Sequence, residues 1–374
     1  MPAQVTNYKC PACTGPLHFV GSSNKLECDY CGSTFDVAEI EKLYADKDRA
    51  AAEAQHKAEE KTASAEGGAD WDMSGLSEDW GADASGVKAY SCPSCGAELI
   101  CDDSTAATSC PYCGNPTIVP GQLSGALKPD YVIPFKLSKE DAVKALSEHY
   151  KGKPFLPKEF RSKNHIQEIK GVYVPFWLFD GTATGNARFE ATISHSYTSG
   201  DEEVTETEHY DVYRAGDIAF EKIPVDASSK MPDDHMDSIE PYDYTELKKF
   251  STAYLPGFLA DKYDVSLEQC RDRADERCTN TLSDALRNSV GGAYDSCVKV
   301  DEQISLQRGR VHYALMPVWM LSSKWKGKDF LFAMNGQTGK LVGDLPMSWG
   351  KFWATFAAIA APLTLISSLI LALA

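Results

Sequence analysis

The chain has 374 residues, with 37 basic and 54 acidic side chains and a net charge of −17. That length accommodates more than one domain and one sizeable core. The acidic balance argues against broad phosphate-backbone binding, which needs a basic face, and is otherwise a statement about solubility.

Residues 1–36 carry Cys10-Pro11-Ala12-Cys13 and Cys28-Asp29-Tyr30-Cys31-Gly32, fourteen residues apart. Residues 88–120 repeat the spacing with Cys92-Pro93-Ser94-Cys95-Gly96 and Cys110-Pro111-Tyr112-Cys113-Gly114. Each Cys-x-x-Cys turn aims two sulfurs at one point, and two such turns on facing hairpins complete a tetrahedral thiolate shell. Cys10, Cys13, Cys28 and Cys31 are therefore expected to hold one structural Zn2+, and Cys92, Cys95, Cys110 and Cys113 a second. Two small all-β zinc ribbons follow. Neither is large enough to fold on apolar burial alone, and metal binding supplies ~10–16 kcal/mol. Disulfide pairing is the alternative. It is disfavoured because the N-terminus shows no secretory pattern, which places the thiols in a reducing compartment. Thr14 stands where the other three turns have Gly32, Gly96 and Gly114, so the first turn departs in geometry but keeps its ligands. His18 reads as a surface residue, because four cysteines already fill the shell. Neither ribbon has a basic face: Lys9 and Lys25 are offset by Glu27 and Asp29, and Lys88 by Glu98, Asp102 and Asp103. Cys101 reads as a spare buried thiol.

Residues 37–87 form the spacer between the ribbons. Val37, Ile40, Leu43 and Tyr44 recur at helical spacing before a run of Ala, Glu, Lys and Asp, which predicts a charged helix. Residues 67–86 are acidic and Gly-rich, and predict a disordered linker. Trp71 and Trp80 inside it leave two readings open: a docking peptide, or burial against the chain's own ribbons or core.

Residues 127–348 predict an α+β domain of two helix-plus-antiparallel-sheet halves. Ser138 begins a capped helix with Ala142, Val143, Leu146 and Tyr150 on its apolar face. A second helix over 266–289 carries Leu267, Cys270, Ala274, Cys278, Leu282 and Leu286. Val174-Pro175-Phe176-Trp177-Leu178 is echoed by Met316-Pro317-Val318-Trp319-Met320, a weak internal repeat. The alternating stretches Ala187–Ser194 and Asp329–Asn335 follow the two copies. Asn335-Gly336-Gln337-Thr338-Gly339-Lys340 predicts a hairpin turn rather than a phosphate loop, which would need another Gly spacing and a following helix.

Residues 352–374 contain no charged side chain, and as a helix span roughly 34 Å, enough for a hydrocarbon core. Trp349, Lys351, Phe352 and Trp353 form an aromatic and cationic collar at the entry, and Pro362 is tolerated in a spanning helix. A buried core helix is the weaker alternative. Lys340 and Lys351 on the N-terminal side agree with a cytoplasmic bulk.

Other clusters are better read without chemistry. Cys270, Cys278 and Cys297 suit core thiols more than a redox or metal site. His195 and His209 beside Asp201-Glu202-Glu203-Val204-Thr205-Glu206 suit exposed strand positions. Asp233-Asp234-His235-Met236-Asp237 and Glu240, bracketed by Pro232 and Pro241, suit a rigid loop, with a divalent-cation site as the alternative. No nucleophile–base, Walker, H-E-x-x-H or dinucleotide motif occurs, so the reading is not an enzyme.

Several stretches carry a family resemblance: Tyr8-Lys9-Cys10-Pro11, Thr105-Ala106-Ala107-Thr108, Cys110–Thr117, Leu127–Phe135, Val172–Trp177, Asp237–Tyr242 and Phe332–Gly339. They resemble bacterial double-zinc-ribbon membrane proteins of the transcription-factor-IIB-type zinc ribbon-containing, YdjG-like group, over nearly the whole chain. The resemblance implies association with phage-shock protein A and with SPFH-domain, flotillin-like proteins. Only the eight ribbon thiolates carry over as a site. The expectation is a single-pass cell-membrane protein, its N-terminal bulk cytoplasmic, that acts as a scaffold recruiting protein partners in an envelope-stress system. The alternative is a nucleic-acid-binding zinc-ribbon protein in transcription or replication.

Overall fold

The computed structural model describes residues 8, 10–13, 17–20, 23, 25–28, 30–65, 70–102, 110–113, 115, 119–120, 127–157, 160, 168–199, 202–326 and 328–373. In chain order the strands are β1 Leu17–Val20, β2 Lys25–Cys28, β3 Thr34–Phe35, β4 Val87–Ser91, β5 Glu98–Asp102, β6 Val119–Pro120, β7 Tyr131–Val132, β8 Lys170–Ser199, β9 Glu202–Asp226, β10 Lys248–Lys249, β11 Leu259–Asp261, β12 Ser296–Trp325, β13 Lys328–Asn335 and β14 Leu341–Gly343. The helices are α1 Val37–Ala65, α2 Lys139–His149, α3 Asp233–Ile239, α4 Leu267–Asn288 and α5 Trp349–Leu373. The chain divides into two compact units, residues 1–67, 183–218 and 281–305, and residues 68–182, 219–280 and 306–374.

In the first unit β1, β2 and β3 make an antiparallel meander. The apolar start of α1 belongs to it: Ile40 is buried, and Tyr44 meets Tyr8 edge-on at 5.2 Å. Past that point α1 is dominated by Ala, Glu and Lys, and polar contacts hold its far end. Asn186 Nδ2 donates to the buried Thr62 hydroxyl at 3.2 Å, and Lys61 pairs with Asp217 at 2.5 Å. Tyr213 and Gly216 are three positions apart on β9, an odd spacing that puts them on opposite sides of the sheet. Tyr213 lines a cavity with Glu59 and Ala63 of α1, whereas Gly216 packs toward Leu286 of α4.

The second unit is built on alternation along two long strands. Val172, Val174, Phe176 and Leu178 enter one apolar cluster with Ala314, Met316, Val318 and Met320. Tyr173, Trp177 and Phe179 enter another with Val311, Tyr313 and Leu315. Both faces are covered, so these segments read as continuous apolar runs instead of half-polar ones. The capping box at α2 is present in full: Asp141 N donates to Ser138 Oγ at 3.2 Å, and Ser138 N to Asp141 Oδ2 at 3.0 Å.

The internal repeat has a specific form. Each copy is a short strand, a helix, a long strand and a returning strand: β7, α2, β8, β9 and then β11, α4, β12, β13. The short strands are exchanged. Tyr131 of β7 pairs in parallel with Ala314 of β12, and Leu259 of β11 pairs in parallel with Val172 of β8. Val172 and Ala314 are equivalent when the two Pro-containing stretches are superposed. The returning strands end alike as well. Ala227 N donates to Pro175 O and Gly336 N to Pro317 O. Asp226 Oδ1 accepts from Ser228 N as Asn335 Oδ1 accepts from Gln337 N. The two antiparallel halves expected from sequence are thus corrected to one mixed sheet, ordered β10-β7-β12-β8-β11-β5-β4-β6, with β9, β13 and β14 pairing off that path. The reason is the exchange, since strands crossing between copies lie parallel. Ala187–Ser194 is not a separate strand but the continuation of β8.

Two expected boundaries differ. The described residues of 88–120 do not stand apart from 127–348. Ala260 and Asp261 of β11 pair with Ile100 and Leu99 of β5, and Cys92, Leu99 and Cys110 lie in the same apolar cluster as Phe176 and Met316. Residues 70–87 are not a disordered linker. Asp72 N donates to Gly309 O at 2.9 Å, and Lys128 N to Ser77 O at 2.8 Å. Trp71 and Trp80 are 4% and 6% exposed, which decides between the two readings left open for them. Trp71 packs edge-on to Phe179 at 4.8 Å and donates its indole N–H to Asp275 Oδ1 at 3.1 Å. Two buried indoles supply the apolar area that composition concealed.

Helix α5 is long and apolar enough to cross a membrane. Phe352 meets Phe155 at 5.6 Å, and Lys351 Nζ donates to Leu156 O at 2.6 Å. Pro362 lies inside the helix, and two residues on Thr364 Oγ1 donates back to Ala360 O and Ala361 O.

If residues 70–87 are part of the core, Trp71→Ala should cost about 3–5 kcal/mol. Urea denaturation of the full chain in mild detergent should show that loss. A change within about 0.5 kcal/mol would return this segment to a surface role.

Candidate metal centres

Both four-cysteine sets converge, with all sulfurs of each set within 4.8 Å of one another. In the first, Cys10 and Cys31 Sγ are 3.6 Å apart and Cys13 and Cys28 Sγ 3.4 Å. In the second, Cys92 and Cys113 are 3.7 Å apart and Cys95 and Cys110 3.6 Å. Tetrahedral metal–sulfur bonds of ~2.3 Å require sulfurs about 3.8 Å apart, so both sets fit a tetrahedral thiolate-bound ion, as zinc prefers.

The turns explain how the backbone achieves this. Cys28 N donates to Ser33 O and Gly32 N to Cys28 O, with Gly32 at φ +71°. Cys92 N donates to Ala97 O and Gly96 N to Cys92 O, with Gly96 also at φ +71°. That left-handed conformation strains any residue with a Cβ. Cys110 N donates to Asn115 O in the same way, whereas Thr14 and Gly114 lie outside the described residues.

The two centres differ in setting. Cys31 is exposed, and the Ser33 hydroxyl 3.2 Å from its sulfur, with the Ser33 backbone N–H, lowers its thiol to about 6. In the second centre burial dominates and pushes Cys95 and Cys110 up. At Cys92 burial is outweighed by the Cys95 and Ser94 backbone N–H groups, which bring it to about 7. Buried thiols held this close cannot all ionise without a cation between them. Cys92 and Cys110 of the second centre also lie in the large apolar cluster of the second unit, so loss of its metal would reach further into the fold.

The chain is 36% identical to the uncharacterized protein YdjG of Bacillus subtilis (strain 168) in an alignment 323 positions long that covers 73% of this chain and 94% of that protein. The chain belongs to the YdjG family. No family profile matches it. No solved structure matches it either. Kinship with YdjG assigns no chemistry, so the remaining candidates rest on geometry alone.

Among the described residues, no other group of three or more His, Cys, Asp or Glu side chains comes together as the two cysteine sets do. The 233–240 segment is corrected from a rigid loop to helix α3. Its carboxylates are spread over two guanidinium groups: Arg273 pairs with Asp233 at 2.9 Å and Asp237 at 2.7 Å, and Arg277 with Glu240 at 2.5 Å. His235 is buried with Nε2 3.3 Å from Asp344. His195 and His209 are exposed on β8 and β9, where Ser194–Thr207 and Ser196–Thr205 make cross-strand hydroxyl pairs. Cys270 and Cys278 are core thiols of α4, pushed by burial to about 12 and about 11, and Cys101 is fully buried on β5. His18 is exposed.

One constellation beside the second centre has no sequence signature. Tyr112, between two ligands, donates its hydroxyl to Asp261 Oδ2 at 2.6 Å, and Ser228 Oγ donates to the same oxygen at 2.7 Å. Asp261 is 2% exposed, and burial raises its carboxyl to about 7, despite those two donors. Asp264 also pushes it up, and Lys230, paired with Asp264 at 3.0 Å, pulls it down. Tyr112 and Asp261 lie 149 residues apart, which no local pattern can signal.

Metal analysis of the purified full chain should find about two ions per chain. Cys13→Ser with Cys31→Ser should remove one and leave the urea transition of the second unit in place. Cys95→Ser with Cys110→Ser should remove one and abolish that transition, since ~10–16 kcal/mol of binding energy is lost from a core. Equal effects of the two variants would contradict the assigned difference.

The Asp261 carboxyl has a folded pKa above its unfolded one, so the folded state binds the extra proton. Its contribution is fully present below about pH 4 and is lost as pH rises through about 7. Asp261→Asn keeps an acceptor for both hydroxyls and removes the charge. At pH 8 it should equal or exceed the native chain in stability, and that advantage should shrink as pH falls towards about 4. Destabilisation at pH 8 comparable to that at pH 5 would show that the carboxylate is not under strain.

Proposed function

We propose that the protein is a membrane-anchored, cytoplasmic-facing scaffold whose two metal centres hold Zn2+ and whose first ribbon recruits protein partners. The observation that carries it is α5. Residues 353–359 and 361–368 are all exposed, Ile359, Leu363, Leu365 and Ile366 by 55–71%, so none of the described residues covers any face of this stretch. An apolar surface of that extent is stable in hydrocarbon, not in water. Trp349, Phe352, Trp353 and Phe356 form a ring cluster at its start, the position of an interfacial belt.

The recruiting surface is narrowed to the first ribbon. Trp71 and Trp80 are buried, and the second ribbon is committed to the core. The first displays Phe19 and Tyr30, 54% and 77% exposed, beside its metal. Large aromatics at this exposure suit the centre of a protein interface. By resemblance, the partners are SPFH-domain, flotillin-like and phage-shock proteins of an envelope-stress system.

The test is a mild-detergent pull-down of the tagged chain from membranes, read by mass spectrometry beside Phe19→Ser with Tyr30→Ser. The native chain should bring down those partners and the variant should recover them more than about ten-fold less, with metal content unchanged. Deleting 352–374 should release the chain to the soluble fraction. Recovery of nucleic-acid machinery instead, or a soluble native chain, would overturn the reading.

A further inference from the structure

The chain is acidic, but its charge is unevenly placed. Residues 136–163 hold eight Lys or Arg against four Asp or Glu, and residues 324–351 hold five against two. The rest of the sequence carries 24 basic and 48 acidic side chains. Described residues of the two stretches, distant in sequence, meet in one cluster of the second unit. Ala142, Leu146, Tyr150, Leu156 and Phe160 pack there with Trp319, Leu321, Phe332 and Met334, and Trp325 and Phe330 lie against them. Phe160 and Phe330 are in edge contact at 5.8 Å.

That same cluster seats the base of α5. Phe155 meets Phe352, Ser348 N donates to Phe155 O at 2.8 Å, and Lys351 reaches Leu156 O. Lys151 and Lys153 lie within a few positions of these contacts, and Asp344 N, four residues before Ser348, donates to Leu331 O at 3.1 Å, which brings the start of β13 to the same base. Lys151 and Lys153 are exposed immediately before Phe155, and Lys326 and Lys328 are exposed at the turn between β12 and β13. Lys326 lies 4.7 Å from the centre of the Trp325 ring, a pairing of cation and indole suited to a headgroup layer. Of the neighbouring acids, Asp141 caps α2, Glu148 pairs with Lys151 at 2.5 Å, and Glu140 is exposed.

We infer that this end of the second unit lies against an anionic lipid surface, with Lys151, Lys153, Lys326 and Lys328 taking phospholipid phosphates. The inference rests on the membrane reading of α5 and adds a second, electrostatic contact to it. Basic residues at such a surface each strengthen attachment about five-fold, and salt screens them. The contact would hold the body close to the bilayer instead of letting it swing on one helix.

The test reconstitutes the full chain in nanodiscs of phosphatidylcholine, alone or mixed with phosphatidylglycerol, and follows amide exchange over 150–157 and 325–330. With phosphatidylglycerol present, exchange there should slow at least about five-fold, and high salt should reverse it. The variant Lys151→Gln, Lys153→Gln, Lys326→Gln, Lys328→Gln should reconstitute equally well, keep its metal and lose the difference. Equal exchange in both lipids, in a chain that does reconstitute, overturns the inference and leaves the anchor standing. A chain that enters neither nanodisc overturns both. Slowing that persists unchanged in the four-lysine variant assigns the contact to other residues and overturns the assignment made here.

Discussion

Four thiols closed around one point inside an apolar core are the condition on which the rest of the second unit depends. Cys92 and Cys110 pack with the side chains that line the central strands, so the metal site and the core are one object. The turn at Gly96 aims Cys92 and Cys95, and β5 leaves that turn to pair with β11, which pairs in turn with β8. Without a cation, burial makes the thiolates costly and the turns lose their reason to close. The first centre also buries Cys10 and Cys28, but these do not belong to that apolar cluster. It is partly exposed, with a small meander and the start of α1 as its surroundings, and is free to present side chains outward.

Much of this was legible in the chain. The cysteine spacing anticipates the two convergent sets of four sulfurs, because each Cys-x-x-Cys turn aims its pair at one point. Ser138 and Asp141 announce the start of α2, and the stripe from Leu267 to Leu286 announces α4, since both depend on neighbours three or four residues away. The Pro-Phe-Trp and Pro-Val-Trp echo pointed to a duplication, and the equivalent positions do occupy equivalent registers.

What was hidden depends on distant partners. Acidic, Gly-rich composition at 70–87 says nothing of where Trp71 and Trp80 insert, because Phe179 and Phe250 supply their pockets. The prolines around 233–240 suggest a loop, whereas Arg273 and Arg277 neutralise its acids and allow a helix. The Tyr112–Asp261 bond needs the sheet to exist first. Parallel exchange of β7 and β11 is equally invisible, since two-residue strands have no period.

That exchange bears on how the chain is made. The backbone of Asp130 and Tyr313, 183 residues apart, is joined at the start of β7, so the first copy has no partner for its leading strand until the second has been synthesised. At 5–20 residues per second the ribosome takes roughly ten to forty seconds to supply it. Once made, β8 waits first for β11 and then for β12, and until they arrive its apolar edge stands open to other chains. Non-local pairing of this kind is slow in itself. The nascent chain therefore passes through a stage that invites chaperone capture, before either copy can close the other's sheet.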